Sequence, residues 1–279
     1  VQTVVLVNRR HLDNDTNRGS TMNKKSTWTA LASICAVTIL LGLVTGCGET
    51  GNEKFGPEDQ ALVSGPIDLL LVDISGSFRS QVGAFKDEMR TVVLDSASQG
   101  RTLWAAAFDG APKRFVTFEP KVNFAQIPDQ IASNPTLSAR FTEARALGTA
   151  NQVERTVAET PVMAAGSGQL EALEVIASTP KVGRAFVITD LVSVEIDGVN
   201  LGTATKSDLK AAVGRWLPRL GSGLDGVQVL FVGVGRQAGR SVVVRNAEWL
   251  FTRLVERAGG TVSVTKELPP DLAPSGGAK

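Results

Sequence analysis

The chain is poor in the side chains that most catalytic centres use. Its 279 residues include one histidine, His11, and two cysteines, Cys35 and Cys47. Beyond residue 47 there is neither a histidine nor a cysteine. A Ser-His-Asp or Cys-His set therefore lacks its base or its thiol there, and a zinc site lacks its usual ligands. Charge of one sign is also missing: 29 Lys and Arg face 28 Asp and Glu, a formal net charge of +1. Such a balance gives no basic stripe for nucleic acid. Long apolar runs are absent as well. The stretch from Ala30 to Val44 is shorter than the roughly 20 residues that span a bilayer.

That stretch has another reading. Met22 is the first methionine; Asn23-Lys24-Lys25 follow it, then the apolar core, then Leu43-Val44-Thr45-Gly46-Cys47. A cationic start and a short apolar core make a signal peptide, and small residues before a cysteine resemble the lipobox of bacterial lipoproteins. Residues 1–21 then read as an upstream extension outside the native precursor, 22–46 as the signal peptide, and 47–63 as a lipidated Cys47 with a polar, Gly-rich tether. The alternative is a buried helix that happens to contain Cys47. The resemblance implies a protein held at the extracytoplasmic side of a cell membrane by its N-terminal lipid. Cys35 would leave with the leader, so no disulfide would support the exported domain. The leader carries five of the basic and two of the acidic residues, which leaves 24 against 26. Residues 266–279 are Pro-, Gly- and Ser-rich and read as a tail with nothing to bury.

Residues 64–265 predict one α/β domain: a doubly wound, mostly parallel central sheet flanked by helices. Ile67–Val72 is a short apolar run that suits a central strand buried on both faces. Phe78, Val82, Phe85, Met89, Val92 and Val93 recur at helical spacing and predict one amphipathic helix. Thr102–Phe108 reads as a strand closed by a turn at Asp109-Gly110, and Arg114–Phe118 as its antiparallel neighbour. Helix is expected around Leu137–Val157. Arg184–Thr189 is a further strand, Val192–Gly198 a β excursion at the rim, and residues 226–235 another buried strand. Leu209 to Leu217 and Ala247 to Ala258 carry helical stripes; Gly259-Gly260 caps the second, and Thr261–Val264 is an edge strand. Trp104, Trp216 and Trp249 read as packing residues. Gly233-x-Gly235 lacks the third glycine of a dinucleotide turn.

Asp73, Ser75 and Ser77 form an Asp-x-Ser-x-Ser triplet straight after the first strand. In an open α/β sheet ligands bind at that carboxyl edge. One carboxylate and two hydroxyls are hard oxygen donors of low net charge, suited to a divalent cation that keeps some waters. The triplet resembles the metal-ion-dependent adhesion site of von Willebrand factor type A domains. Thr189-Asp190 is similar to that family's second acidic strand end, and Gly166-Ser167 ahead of Ala172-Leu173 to its third loop. The resemblance implies Mg²⁺ or Mn²⁺ held by Ser75 and Ser77 directly and by Asp73 and Asp190 through waters. Ser167 would complete the shell, with Thr160 as a competing third-loop donor. Leu191 stands where the family usually has Gly, which leaves the shape of that loop open. Plain readings exist for each: Asp73 as a cap or Asx-turn, Ser167 as a helix cap, Thr160 as a helix stop before Pro161.

No general base stands beside these residues, so binding rather than catalysis is expected. The partner would be a protein that presents an acidic side chain to the ion. Alternatives remain: a phosphoesterase-like or actin-like-kinase-like enzyme using Asp73, or the same scaffold with a degenerate metal site. Asp73 is expected on a surface loop, where its loss would spare the fold.

Overall fold

A computed structural model describes residues 65–110, 118–162, 166, 168–236 and 241–272. The segments read as upstream extension, signal peptide and tether, Cys47 among them, lie outside the described residues, as do Ser167 and all but Phe118 of the stretch Arg114–Phe118.

Strand β1, Ile67–Asp73, is buried along its whole length. It pairs in parallel with β2 (Thr102–Phe108) on one side and with β4 (Val182–Ile188) on the other. Beyond β2 lies the short antiparallel β3, Lys121–Asn123. Beyond β4 come β7 (Gln228–Val232) and β8 (Thr261–Thr265), both parallel. The sheet order is β3-β2-β1-β4-β7-β8, six mostly parallel strands in an α/β fold. A separate hairpin, β5 (Glu195–Ile196) with β6 (Val199–Asn200), stands at the rim where the alternating segment predicts it. Its turn residues Asp197 and Gly198 both have positive φ, the requirement of a type I′ turn.

Alternation along β1 feeds two cores. Ile67, Leu69 and Leu71 face α5 (Gln169–Ser178), α6 (Lys206–Leu220) and α7 (Val242–Arg257). Leu70 and Val72 face α2 (Lys86–Ser98) and α4 (Pro135–Glu159), which follows the short α3 (Asp129–Ala132). Both sheet faces are therefore covered, which is why the parallel strands read as continuous apolar runs. Leu268 and Leu272, in the segment read as a tail, pack against the second core. Among the described residues no helix is long and apolar enough to cross a membrane.

One expectation needs correction. The helix after the triplet is not continuous: it comprises α1 (Gly76–Arg79), a 3-10 turn (Val82–Phe85) and α2. Phe78 and Phe85 explain the break. In a straight helix seven residues advance about 10 Å, whereas these two buried rings pack with centroids 5.0 Å apart. Among the described residues the antiparallel neighbour of β2 is β3, which pairs with Thr102–Trp104; of the expected strand Arg114–Phe118 only Phe118 is described, and its ring packs 5.3 Å from Trp104.

At the other end of β1 an irregularity places a charge. The register with β4 shifts between Ile67 and Asp68, so that Asp68 pairs with Arg184 across an extra Gly183. Asp68 is fully buried. It accepts Arg184 Nε at 3.0 Å and Nη2 on its other oxygen, Arg101 Nη1 at 3.1 Å and Ser96 Oγ at 2.8 Å. Arg184 Nη1 also reaches Asp95 at 2.7 Å. Two carboxylates and two guanidinium groups thus balance each other inside the fold.

Candidate metal centre

The order of the strands dictates where a ligand can sit. From β1 the chain proceeds to β2 on one side, while β4 opens the run β4-β7-β8 on the other. The topological switch point lies between β1 and β4, and the crevice outside their carboxyl ends is the expected ligand site of such a sheet. Asp73 is the last residue of β1, and Asp190 follows the end of β4 by two residues.

Asp73 is 0% exposed. It is a strand residue in the interior, not a surface-loop residue, and this corrects the expectation that its loss would leave the fold untouched. Its Oδ1 accepts the N–H of Ser75 at 2.8 Å, and its Oδ2 accepts the hydroxyl of Thr189 at 2.8 Å. Burial pushes the Asp73 carboxyl up to about 6; the Ser75 hydroxyl and amide and the Thr189 hydroxyl oppose that rise, and the negative charge of Asp190 adds to it. The two carboxylates close the ends of neighbouring strands, and the Asp190 charge is the smallest of the influences on Asp73. Asp190 is 4% exposed and its carboxyl is raised as well, chiefly by burial. Its Oδ1 accepts the Val192 N–H at 2.9 Å. Among the described residues neither buried acid has a cationic partner, and a divalent cation would relieve their negative charge.

Leu191 answers the question of loop shape after β4. Its φ is +53°, the left-handed conformation that glycine adopts without strain. Complete burial in the first core and an N–H donated to Thr189 Oγ1 at 3.2 Å hold it there. A leucine thus makes the turn for which glycine is the usual choice. Gly233, at the end of β7, has φ +100° and packs beneath the same loop. A Cβ at this position would lie 2.8 Å from the Phe85 ring and 3.1 Å from the Thr189 carbonyl oxygen. Gly233→Ala is expected to destabilise the protein by about 1–3 kcal/mol through overpacking. A urea midpoint equal to wild type would contradict that close approach.

The third loop is fastened at both ends. Arg79, in α1, donates to the carbonyl oxygens of Val157 and Thr160 at 2.9 Å each and also to that of Ala158, capping the carboxyl end of α4 with a positive charge. At the far end Gly168 N–H donates to the Asp109 carbonyl at 3.0 Å; Asp109, the turn residue after β2, is itself buried. The Thr160 hydroxyl is engaged with the Thr156 carbonyl at 2.6 Å, as a helix stop requires.

Of the residues expected at the site, Asp73, Ser75 and Asp190 meet at the switch point. Ser75 is buried, and its carbonyl accepts the N–H groups of Phe78 and Arg79 at 3.0 and 2.8 Å. Ser77 lies in the backbone of α1; its side chain, like Ser167, is outside what is described. Sequence reasoning assigned no role to Thr189, Gln169 or Arg79. Thr189 could have been found, since a hydroxyl just before a strand-end acid is placed to orient a neighbouring carboxylate; the other two carry no local signal.

The donor chemistry fits a hard cation such as Mg²⁺ or Mn²⁺. Both oxygens of Asp73 already accept hydrogen bonds, which suits contact through metal-bound water. Among the described residues no three His, Cys, Asp or Glu side chains form a metal-binding group. Neutral oxygens must therefore supply the rest of any shell.

No family model matches the chain. No curated protein matches it either. Among solved structures, the pilus adhesin SpaC from Lactobacillus rhamnosus GG is 14% identical with a TM-score of 0.34, over 70% of this chain and 30% of the adhesin. The PilB minor pilin from Streptococcus sanguinis is 11% identical with a TM-score of 0.40, over 72% of this chain and 57% of the pilin. An aerotolerance-related membrane protein from Bacteroides fragilis is 16% identical with a TM-score of 0.32, over 74% of this chain and 92% of its own. The chain thus spans less than two thirds of the adhesin and of the pilin.

Proposed function

We propose that this chain is a membrane-anchored, extracytoplasmic module of the von Willebrand factor type A kind. It binds a protein partner through a divalent cation held by Asp73, Ser75, Ser77, Ser167 and Asp190. The observation that supports this most is the placement of two buried carboxylates, Asp73 and Asp190, at the switch point of the sheet. Ser75 and Ser77 would hold the ion directly, and Asp73 and Asp190 would hold it through water. The ion would supply an electrophilic position for a partner's carboxylate. The chain's own residues then orient rather than react: Thr189 and the Ser75 amide fix the Asp73 carboxylate, and Arg79 keeps the loop after α4 against the triplet. Cys47, as a lipid attachment point, would keep the module at the membrane.

Calorimetric titration of the full-length protein with Mn²⁺ and Mg²⁺ tests the reading. Binding at about millimolar concentrations is expected, since a few neutral oxygens and water-bridged acids make a weak site. Asp190→Ala should abolish it. Equal heats for wild type and Asp190→Ala, or no binding by either, would remove the metal from the proposal.

A further inference from the structure

Gln169 opens α5 directly after Gly168, and its side chain is only 1% exposed. Its Nε2 approaches Thr189 Oγ1 at 3.5 Å. Chemistry fixes which way the amide faces. The single hydroxyl proton of Thr189 goes to Asp73 Oδ2, so Thr189 can only accept from Gln169, and the NH₂ group must be the end that meets it. The oxygen Oε1 is left on the other side, buried and without a hydrogen-bond partner among the described residues. A buried acceptor without a donor destabilises a folded protein, and native structures rarely tolerate one without a reason. A methionine would fill this volume with no such penalty. The unmatched oxygen stands two hydrogen bonds from Asp73, in the chain Gln169–Thr189–Asp73.

We propose that Gln169 Oε1 accepts a hydrogen bond from a water molecule bound to the divalent cation at Asp73. Gln169 is then a positioning residue of the metal centre. The inference rests on the metal reading given above and goes beyond it by naming a group outside the triplet. Mg²⁺ sheds water reluctantly, and each retained water carries protons that need acceptors. Asp73 and Asp190 can take some of them. A neutral amide takes another without lowering the charge of the ion, which leaves the metal electrophilic toward a carboxylate. Partners of this outer kind typically change metal affinity by about 10–100-fold when removed.

The test uses the full-length protein with Mn²⁺ as the probe, read by calorimetry and water-proton relaxation, alongside thermal melts in the presence of a chelator. Gln169→Met should weaken Mn²⁺ binding about 10-fold, while the metal-free variant melts no lower than wild type. Gln169→Glu keeps an acceptor oxygen and should bind at least as tightly as wild type. Should Gln169→Met bind Mn²⁺ like wild type while Asp73→Ala does not, the inference fails and the metal reading stands. A metal-free Gln169→Met that melts well below wild type would make the amide structural and overturn it as well. If wild type itself does not bind Mn²⁺, the metal reading falls, and this inference with it.

Discussion

Asp68→Ala is expected to destabilise the protein by about 3–5 kcal/mol, the range found when one member of a buried ion pair is removed. The Arg184 guanidinium would keep only Asp95 as an anionic partner and would lose both of its bonds to Asp68. Arg101 and Ser96 would lose their acceptor too. The cost comes from the cation left behind rather than from the net worth of the pair. Asp68→Leu combined with Arg184→Met should therefore recover a good part of the loss, because similar apolar volumes often replace buried ion pairs without penalty. Urea unfolding with an unchanged slope measures both. An Asp68→Ala midpoint close to wild type would mean that the network contributes little.

Asp73→Asn should have two opposed effects: loss of Mn²⁺ binding and a gain in metal-free stability at neutral pH. The folded protein holds the Asp73 proton up to about pH 6, whereas the ordinary carboxyl releases it near 3.8. The folded state thus binds this proton more tightly than the unfolded chain does, and stability falls as pH rises through that interval. Below it both states are protonated and the penalty vanishes; above it the penalty is complete, at about 3 kcal/mol for a shift of this size. Asparagine can still accept from the Ser75 amide, and it carries no charge to bury. Metal-free Asp73→Asn should match wild type near pH 4 and exceed it at pH 7.5 by up to about 3 kcal/mol. Mn²⁺ should return stability to wild type and leave the variant unchanged. Urea melts across this range decide the matter: an Asp73→Asn protein that gains nothing over wild type between pH 4 and pH 7.5 would show that the carboxylate is not strained by its burial.

These two predictions concern the two ends of one strand, and only one end was legible in the sequence. The apolar run Ile67–Val72 identified β1, and the triplet after it pointed to the carboxyl edge; Thr189-Asp190 closed the second strand in the same way. Strand identity and the α/β class follow from patterns spanning a few residues, which is why they could be read. Asp68 stands inside that run with no local signal of its role. Its partner stands 116 positions away and depends on a register shift beside Gly183, which no local pattern encodes. The burial of Asp73 was missed for a related reason, because an acid after an apolar run is ordinarily a surface residue and only the closing of neighbouring loops covers it. The break between α1 and α2 was invisible because Phe78 and Phe85 keep helical spacing even though a tighter turn connects them.

The sequence distances carry a consequence for how the molecule assembles. The salt bridge from Arg184 to Asp68 and the hydrogen bond from Thr189 to Asp73 each join residues 116 positions apart. The first strand cannot complete either end until the fourth arrives, with, among the described residues, five helices and two strands threaded between them. Contacts this remote are slow to form, since chain entropy is lost before they reward it. During synthesis β1 and β2 can pair early, but one long edge of β1 stays unprotected until residues 182–188 have emerged. In that interval the chain carries an open apolar strand edge, the template for mispairing with another copy. Were the chain exported as proposed, it would have to be kept from closing beforehand, and this topology delays closure by itself.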